Sequence, residues 1–513
     1  QIDRLVNEAE AANENAPAAA AAAATAAAPA EAPPATPTEK TLAEIWETLL
    51  GRPVPDRTAH FFEWGGHSLL VARMAARVRS EFSIELPLRA IFEEPTLEEL
   101  AARIDASATT TDIQVKRRPA DAPLMLTHAQ KRQWVLAQLD PGSATYNIPA
   151  AVQVKGPLPM EALEQAVGKL CHRHEVLRTV YQADETGKPA PELHPVVVPM
   201  LKVTDLTDVQ DDLQHEQALS RLLEEAQKPF ELEKPPLFRI ACIKLAEEQH
   251  LLQIVIHHII GDGWSLKILL KDLMALTESD AMGLPPLELQ YGDYAHFEGQ
   301  RDHTLSLAYW RKQLLNTPSG IDLPVDFPRP ANPGQNADEI RFRLPASQRM
   351  ALEQIARGSD ATLFMTLLAA FKVLLYRYSG ERNIVIGSPT GSRPAAKLEP
   401  VVGLFVNTLA LRTEVEGDLD FAKFLKRVRK TVLDGLEHQD VPFEQIVSSL
   451  ETDRDWDRSP VFQVMFLWQN DPGLQTPLPE TARHLVIEPY LLPATMTKFD
   501  LTLSMAVDGD ELA

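Results

Sequence analysis

The sequence predicts a multidomain chain in which a small helical domain precedes a large α/β region. Two observations carry this. Residues 38–106 hold apolar residues at helical spacing, bounded by capping residues, with no strand-like alternation. From residue 122 onward, amphipathic helical stretches alternate with short apolar runs of strand length.

Bulk properties bound the function. The chain has 513 residues, enough for about three or four average domains or two plus a large one. Hydrophobic residues make up 45% of it, so composition permits sizeable cores. A formal net charge of -22 argues against nucleic acid or an anionic membrane as the main partner. Two cysteines, Cys171 and Cys242, lie in apolar settings and make no disulfide framework, which fits a reducing, cytoplasmic compartment. No apolar run is long enough to span a bilayer. The alanine tract near residue 20 follows an acidic segment and is broken by Pro, so it is no signal-peptide core.

Residues 1–12 read as the remnant of a larger upstream domain. Residues 13–37 are mostly Ala, Pro, Glu and Thr, and Pro17, Pro29, Pro33, Pro34 and Pro37 break any helix there, so the segment reads as a semi-extended linker. In 38–106, Leu42, Ile45, Trp46 and Leu49 form one helical face that stops at Gly51. Gly65-Gly66-His67-Ser68 then precedes Leu70, Met74 and Val78 at four-residue spacing, which puts Ser68 at the N-cap of a second helix. Thr96 and Glu99 form a capping box for a last helix with Leu97, Leu100 and Ile104. A serine there is either an ordinary cap or an exposed hydroxyl at a helix N-terminus, where a phosphate is favoured. Residues 107–121 are a second linker, whose Lys116-Arg117-Arg118 run reads as solvated.

In the large region, Thr127 and Gln130 open a helix as a capping-box pair, and 161–174 is amphipathic through Leu163, Val167, Leu170 and Cys171. The spacing of Cys171, His172 and His174 matches no zinc pattern, so no metal site is assigned. Strands are expected at 237–245 and 250–258, a strongly apolar helix at 361–378, and strands from Asn383 and after Gly403. His438 to Glu444 begins a helix, and 460–512 alternates strands and turns.

The organising stretch is His257-His258-Ile259-Ile260-Gly261-Asp262-Gly263-Trp264-Ser265. A buried strand ends there, and Ser265 is placed to cap the helix of Leu266, Leu269, Leu270 and Leu273. Strand neighbours point to opposite faces, so only one of the two histidines faces a given cleft. Such a turn exposes a base beside backbone N–H groups, as acyl transfer requires. The plainer reading is a hydrogen-bonded, inert histidine pair at the end of a core strand.

Two resemblances join these readings. Gly65-Gly66-His67-Ser68-Leu69-Leu70, within its helix pattern, closely resembles the attachment site of peptidyl carrier domains across 38–106. The resemblance implies a small four-helix bundle whose Ser68 carries a covalent 4'-phosphopantetheine, added by a phosphopantetheinyl transferase. Thr127-His128-Ala129-Gln130, Arg173 to Tyr181, His257 to Gly263, Tyr291 to Tyr294, Ile386 to Arg393, Gly403 to Thr408 and His438 to Glu444 resemble, in order, the motifs of the condensation domain of nonribosomal peptide synthetases. That implies two chloramphenicol-acetyltransferase-like lobes, 122–300 and 301–513, with a tunnel between them. It also implies a second lobe lacking its last elements, since the family pattern runs further. Gln1-Ile2-Asp3-Arg4 is similar to the closing motif of an adenylation domain, with glutamine where that motif has lysine.

The implied reaction is amide formation between an acyl or peptidyl thioester on Ser68 and an aminoacyl group on a downstream acceptor carrier, with an L donor and an L acceptor. His258 is the implied active-site histidine. His257 faces packing, Gly263 offers a backbone N–H to the oxyanion, and Asp262 is a second base or, the stronger reading, a buried anchor paired with Arg393 or, less well, Arg178. Asn407 and Trp264 line the cleft, or Trp264 only packs. The rivals are an epimerisation domain, a non-catalytic recruitment domain of the same fold, and a stand-alone acyl-CoA transferase.

Overall fold

The structure is a computed structural model that describes residues 32–54, 56–66, 68–108, 115–197, 200–278, 284–318, 320–327, 334–391, 393–450, 461–469 and 485–513. The expected upstream remnant and nearly all of the first linker lie outside these residues.

The small domain has four helices: α1 (Pro37–Leu50), α2 (Ser68–Phe82), α3 (Leu88–Glu93) and α4 (Leu97–Ala106). Helix α1 starts earlier than expected. Thr36 and Glu39 form a capping box and Pro37 sits at the first helical position. The proline that reads as a breaker is therefore an initiator, because the first-turn N–H it lacks has no intrahelical partner anyway. Gly51 ends the helix with φ 71°. Leu42, Trp46, Phe61, Val71, Met74, Val78, Ile91, Leu97 and Leu100 fill the core. The short α3 was not foreseen, since six residues are too few to show a helical period.

In the second linker Lys116 and Arg117 are exposed, as expected of a solvated run, but the run also makes contacts. Arg117 donates to the carbonyls of Glu288 (2.9 Å) and Leu287 (3.3 Å), and the Arg118 N–H donates to Asp293 (3.0 Å). Its far end is thereby fastened along the large region.

That region continues with α5 (His128–Leu139), β1 (Asn147–Lys155), α6 (Met160–Arg173), β2 (Thr179–Ala183), β3 (Pro189–Leu193), β4 (Leu201–Asp205), α7 (Asp211–Gln227), β5 (Phe238–Ala246), β6 (Gln249–His257), α8 (Gly263–Glu278) and α9 (Tyr291–Glu298). Then come α10 (Thr304–Gln313), α11 (Ala346–Arg357), α12 (Leu363–Ser379), β7 (Asn383–Gly391), β8 (Val406–Glu414), α13 (Phe421–Glu437), α14 (Phe443–Ser449), β9 (Val464–Trp468), β10 (Val486–Tyr490) and β11 (Leu501–Met505). The strands make two main sheets, ordered β10-β1-β6-β5-β4 and β11-β9-β7-β8. Each has its own apolar core: Leu252, Ile254 and Ile256 serve the first, and Ile384, Ile386, Leu411 and Phe466 the second.

The sheets do not divide cleanly by sequence. Strand β10, from the range expected to form the second lobe, pairs antiparallel with β1 and adds an edge to the first sheet. The chain then returns to the second sheet as β11, parallel to β9. Residues 486–505 thus strap one lobe to the other. No helix among the described residues is long and apolar enough to cross a membrane.

Candidate active site

Strand β6 is buried from His250 to His257, flanked by β1 and β5. The strand stops at His257 and a single 3-10 turn, His258–Ile260, follows. The side chain of His257 stays inside, 5% exposed, edge-on to Phe230, and its Nδ1 accepts the Ile259 N–H at 3.1 Å. The turn rotates His258 the other way. Its backbone N–H donates to the Tyr146 carbonyl (2.8 Å), and its Nδ1 lies 2.8 Å from the Gly261 carbonyl. A carbonyl only accepts, so Nδ1 carries the proton and the neutral ring keeps its lone pair on Nε2. His258 is half-buried at this turn.

The turn tolerates no bulk. A Cβ on Gly261 would meet Ile256 Cδ1 at 2.7 Å and Ser265 Cβ at 3.1 Å. Gln130, from the α5 capping box, donates from Nε2 to the Ile259 carbonyl (3.0 Å) and the Tyr181 hydroxyl (2.8 Å), pinning the turn from the other side.

Asp262 is 0% exposed. Its Oδ1 accepts the Ser265 N–H (2.9 Å) and hydroxyl (2.8 Å), so Asp262, not Ser265, caps α8. The Ser265 hydroxyl in turn accepts the Gly403 N–H at 3.1 Å. Asp262 Oδ2 accepts the Phe405 N–H at 3.1 Å, and Arg393 lies 3.5 Å from Oδ1. One carboxylate therefore caps a helix and ties it to the other lobe. Arg393 also stacks 4.2 Å from the Phe405 ring centroid. The Gly403 loop fits because a Cβ there would strike the Tyr291 ring at 1.9 Å, while Tyr291 donates to the Leu404 carbonyl at 2.7 Å.

One expectation needs correction, and two residues are better defined. Arg178 is nowhere near Asp262: it is spent on the carbonyls of Cys171 (3.1 Å), His194 (2.7 Å) and Pro195 (3.2 Å). The Asn407 amide edges a cavity, but Nδ2 is committed to the carbonyls of Gln439 (2.8 Å) and Val441 (2.6 Å), and Oδ1 to the Phe443 N–H (3.0 Å). It holds the His438–Glu444 segment in place. Trp264 packs away from the cleft, its indole N–H on the Glu399 carbonyl (3.1 Å) and its face against Arg73. Gly263 opens α8, is exposed, and has nothing within 4 Å of the Cβ position. Its N–H is among the first-turn donors a helix leaves unbonded. Among the described residues no group of three or more His, Cys, Asp or Glu is arranged to hold a metal.

Two residues at this site gave no sequence signal. Tyr146 receives the His258 backbone, and Lys498, from the strap, lies 4.6 Å from the Tyr146 ring centroid. Burial pushes the Lys498 ammonium down to about 8, with help from Arg132. Burial also depresses His258, and Lys498 adds to it against the opposing Gly261 carbonyl and Asp262. His257 is pushed down to about 3 by burial, then by His258 and Lys498. Both rings are therefore neutral near pH 7.

Ser68 is the first residue of α2, one position inside the expected cap, and His67 lies outside the described residues. The approach to it is shaped by Gly66, where a Cβ would lie 2.3 Å from the Phe61 ring. A hydroxyl at the start of a fifteen-residue helix, behind a glycine that keeps the backbone close, fits a phosphodiester.

Two sheets with separate cores thus flank a turn that holds a half-buried, neutral imidazole. Comparisons with known proteins sharpen this. The Condensation domain family matches residues 122–513, and the Phosphopantetheine attachment site family matches residues 40–104. The chain belongs to the condensation-domain family of amide-bond-forming acyltransferases, preceded by a carrier domain that takes covalent 4'-phosphopantetheine. It is 38% identical over 488 residues to one of the proteins that make up the linear gramicidin synthase of Brevibacillus parabrevis, covering 92% of this chain and 6% of that protein. It is 37% identical to Malpibaldin synthetase of Mortierella alpina, covering 92% of this chain and 9% of that one. The chain thus spans less than a tenth of the length of these relatives. Among solved structures, the X-domain from teicoplanin biosynthesis superposes with a TM-score of 0.70 at 26% identity, covering 78% of this chain and 90% of that one. The first condensation domain of the calcium-dependent antibiotic synthetase, at 20% identity and TM-score 0.63 over 77% of this chain and 91% of that one, shares the fold.

Replacing Asp262 with Asn sets an amide N–H₂ against donors already in place, so Asp262→Asn is expected to cost about 3–5 kcal/mol of stability and lower the melting temperature. An unchanged thermal melt contradicts the anchor. For His257 the folded pKa lies below the unfolded value of about 6.5, so the unfolded chain binds more protons between the two. That stability is present above pH 6.5 and is lost as pH falls toward 3. His257→Asn, which retains an acceptor for the Ile259 N–H, is expected to flatten the fall in melting temperature between pH 6.5 and about 4.5. The same slope in both proteins contradicts it.

Proposed function

We propose that this chain is the carrier and condensation portion of a nonribosomal peptide synthetase, joining an L donor held on Ser68 to an L aminoacyl acceptor on a downstream carrier. The observation that carries the reading is the orientation of His258, with Nδ1 fixed on the Gly261 carbonyl and Nε2 left as a base. The arm on Ser68 supplies a thiol that presents the donor acyl group as a thioester. The chain's own residues do the rest. Tyr146, Gln130 and Gly261 hold the imidazole, Asp262 and Arg393 fix the turn to the second lobe, and His258 Nε2 accepts the proton of the attacking amine.

An α-amino group has a pKa of about 8, so a useful fraction is a nucleophile near neutrality without strong activation. General-base help is typically worth about 10²–10⁴-fold, or roughly 3–5 kcal/mol. Positioning two tethered reactants supplies about 7–11 kcal/mol. Positioning is the larger contribution, and the structure is built accordingly, with most polar contacts around His258 orienting the turn.

The L-to-L reading is supported by the wording His-His-Ile-Ile-Gly-Asp-Gly-Trp-Ser, and the condensing rather than epimerising reading by Gly403-Leu404-Phe405-Val406-Asn407-Thr408. A recruitment role fits poorly with both histidines intact. Loading would be the work of a phosphopantetheinyl transferase, and charging that of an upstream adenylation domain.

His258→Ala is expected to slow single-turnover peptide transfer by about 10²–10⁴-fold while leaving turnover above a carrier-free control. Wild-type rates in that variant would remove His258 from the chemistry. Incubation with coenzyme A and a phosphopantetheinyl transferase is expected to add one phosphopantetheine to the intact chain and none to Ser68→Ala. A mass gain that survives the substitution would undo the carrier assignment.

A further inference from the structure

The carrier domain and the second lobe share one apolar cluster, and charged pairs add to the contact. On the carrier, Arg73 and Arg77 share a face of α2 at i,i+4 spacing, Arg79 lies two residues further on, and Arg89 is on α3. Arg77 is bidentate to Glu399, Nε at 3.0 Å and Nη2 at 2.7 Å, and Arg73 reaches the same carboxylate at 3.6 Å. Arg79 donates to the Pro394 carbonyl at 3.2 Å. Arg89 forks between Asp434 (2.7 Å) and Glu437 (2.9 Å) on α13. Burial alone would push the Glu399 carboxylate up, but its arginine partners hold it below the usual range. The contact is half-buried and includes a fork-to-carboxylate pair, the strong geometry for an arginine.

The receiving patch adjoins the catalytic turn. Glu399 takes the carrier's arginines on its carboxylate and the Trp264 indole on its backbone carbonyl. Trp264 follows Gly263 directly, and Arg73 lies over its ring, 4.5 Å from the centroid. Arg73 is five residues from Ser68 on the same helix, about 7.5 Å of axial rise. The contact that anchors the carrier therefore sets α2 against Trp264, the second residue of the helix that Asp262 caps.

We propose that Glu399, with Asp434 and Glu437, forms an acidic docking patch that recognises the arginine face of α2 and α3 on this chain's own carrier domain and sets it for donor delivery. The proposal rests on the donor-carrier reading above. It makes carrier choice a matter of charge: a carrier with acidic residues at the positions of Arg77 and Arg89 is rejected. It also makes docking reversible, since half-exposed ion pairs weaken with salt and release the carrier for other encounters.

Two measurements on the full chain test it. Small-angle scattering reads docking without any chemistry. Arg77→Glu and Glu399→Arg are each expected to enlarge the radius of gyration, and the combined charge swap to restore it. Transfer reads the consequence. With the donor loaded on Ser68, each single variant is expected to lose about tenfold or more in single-turnover rate, and the swap to recover most of it. With the same donor supplied as a soluble pantetheine thioester, all variants are expected to stay within about twofold of wild type. Arg89→Glu provides the same comparison away from Trp264. Unchanged scattering in both single variants overturns the docking patch. So does an equal loss with tethered and soluble donors, which would assign Glu399 to support of the catalytic turn alone. A wild-type chain that is compact, opens on charge reversal and transfers from neither donor would instead sink the condensation reading and leave the patch standing.

Discussion

The architecture depends on one buried carboxylate. Asp262 terminates a turn, caps the helix that follows and accepts the backbone of the opposite lobe, all without contact with solvent. A charge taken out of water this completely is tolerable only when its oxygens are met by donors and a counter-ion. The surrounding sequence supplies them: Ser265 three residues on, Phe405 from the second lobe and Arg393 across the junction. The small residues follow from the same constraint. Gly261 keeps the turn tight, and Gly403 lets its loop close against Tyr291 so that the Phe405 N–H reaches the carboxylate. Catalytic geometry is inherited from this knot, because the carbonyl that orients His258 belongs to the residue just before Asp262.

Around it, two lobes with separate cores are joined by strap, linker and carrier. The strap exchanges a strand, β10, into the first sheet and brings Lys498 over the Tyr146 ring on its way back. A cation there makes protonation of either histidine costlier, which keeps His258 in its basic form. The linker is buttoned to α9 through Arg118 and Asp293, which limits how far the carrier strays from the patch it contacts.

Much of this was legible in the sequence. Strand β6 and the helix after it announce themselves by apolar pattern, and the carrier's helices by caps and period. The spacing singled out the His257 to Ser265 stretch, while the choice of His258 and the pairing of Asp262 with Arg393 came with the family resemblance. What escaped was nonlocal or conformational. Pro37 reads as a breaker unless its place relative to Thr36 is known. Arg178 and Arg393 are both arginines in plausible motifs, and only the fold shows that the first is spent on carbonyls of its own loop. Trp264 looks like a cleft residue because its neighbours are, yet α8 turns it toward the carrier. Lys498 stands alone in an ordinary tail, and nothing local shows that the strap carries it to Tyr146. The arginines of α2 look like an ordinary solvated helix face until Glu399, more than three hundred residues away, is set opposite them.

The central claim is that a neutral imidazole, held by the turn that Asp262 anchors, serves as the base between the lobes. Single-turnover transfer measured against pH in the wild type and in His258→Ala tests it most directly. The attacking amine sets an acid limb at about 8 in both proteins, and the account predicts a second limb below about 6.5 in the wild type, set by the depressed imidazole, that is absent from the variant. The same second limb in both proteins, or no second limb in the wild type, would contradict it.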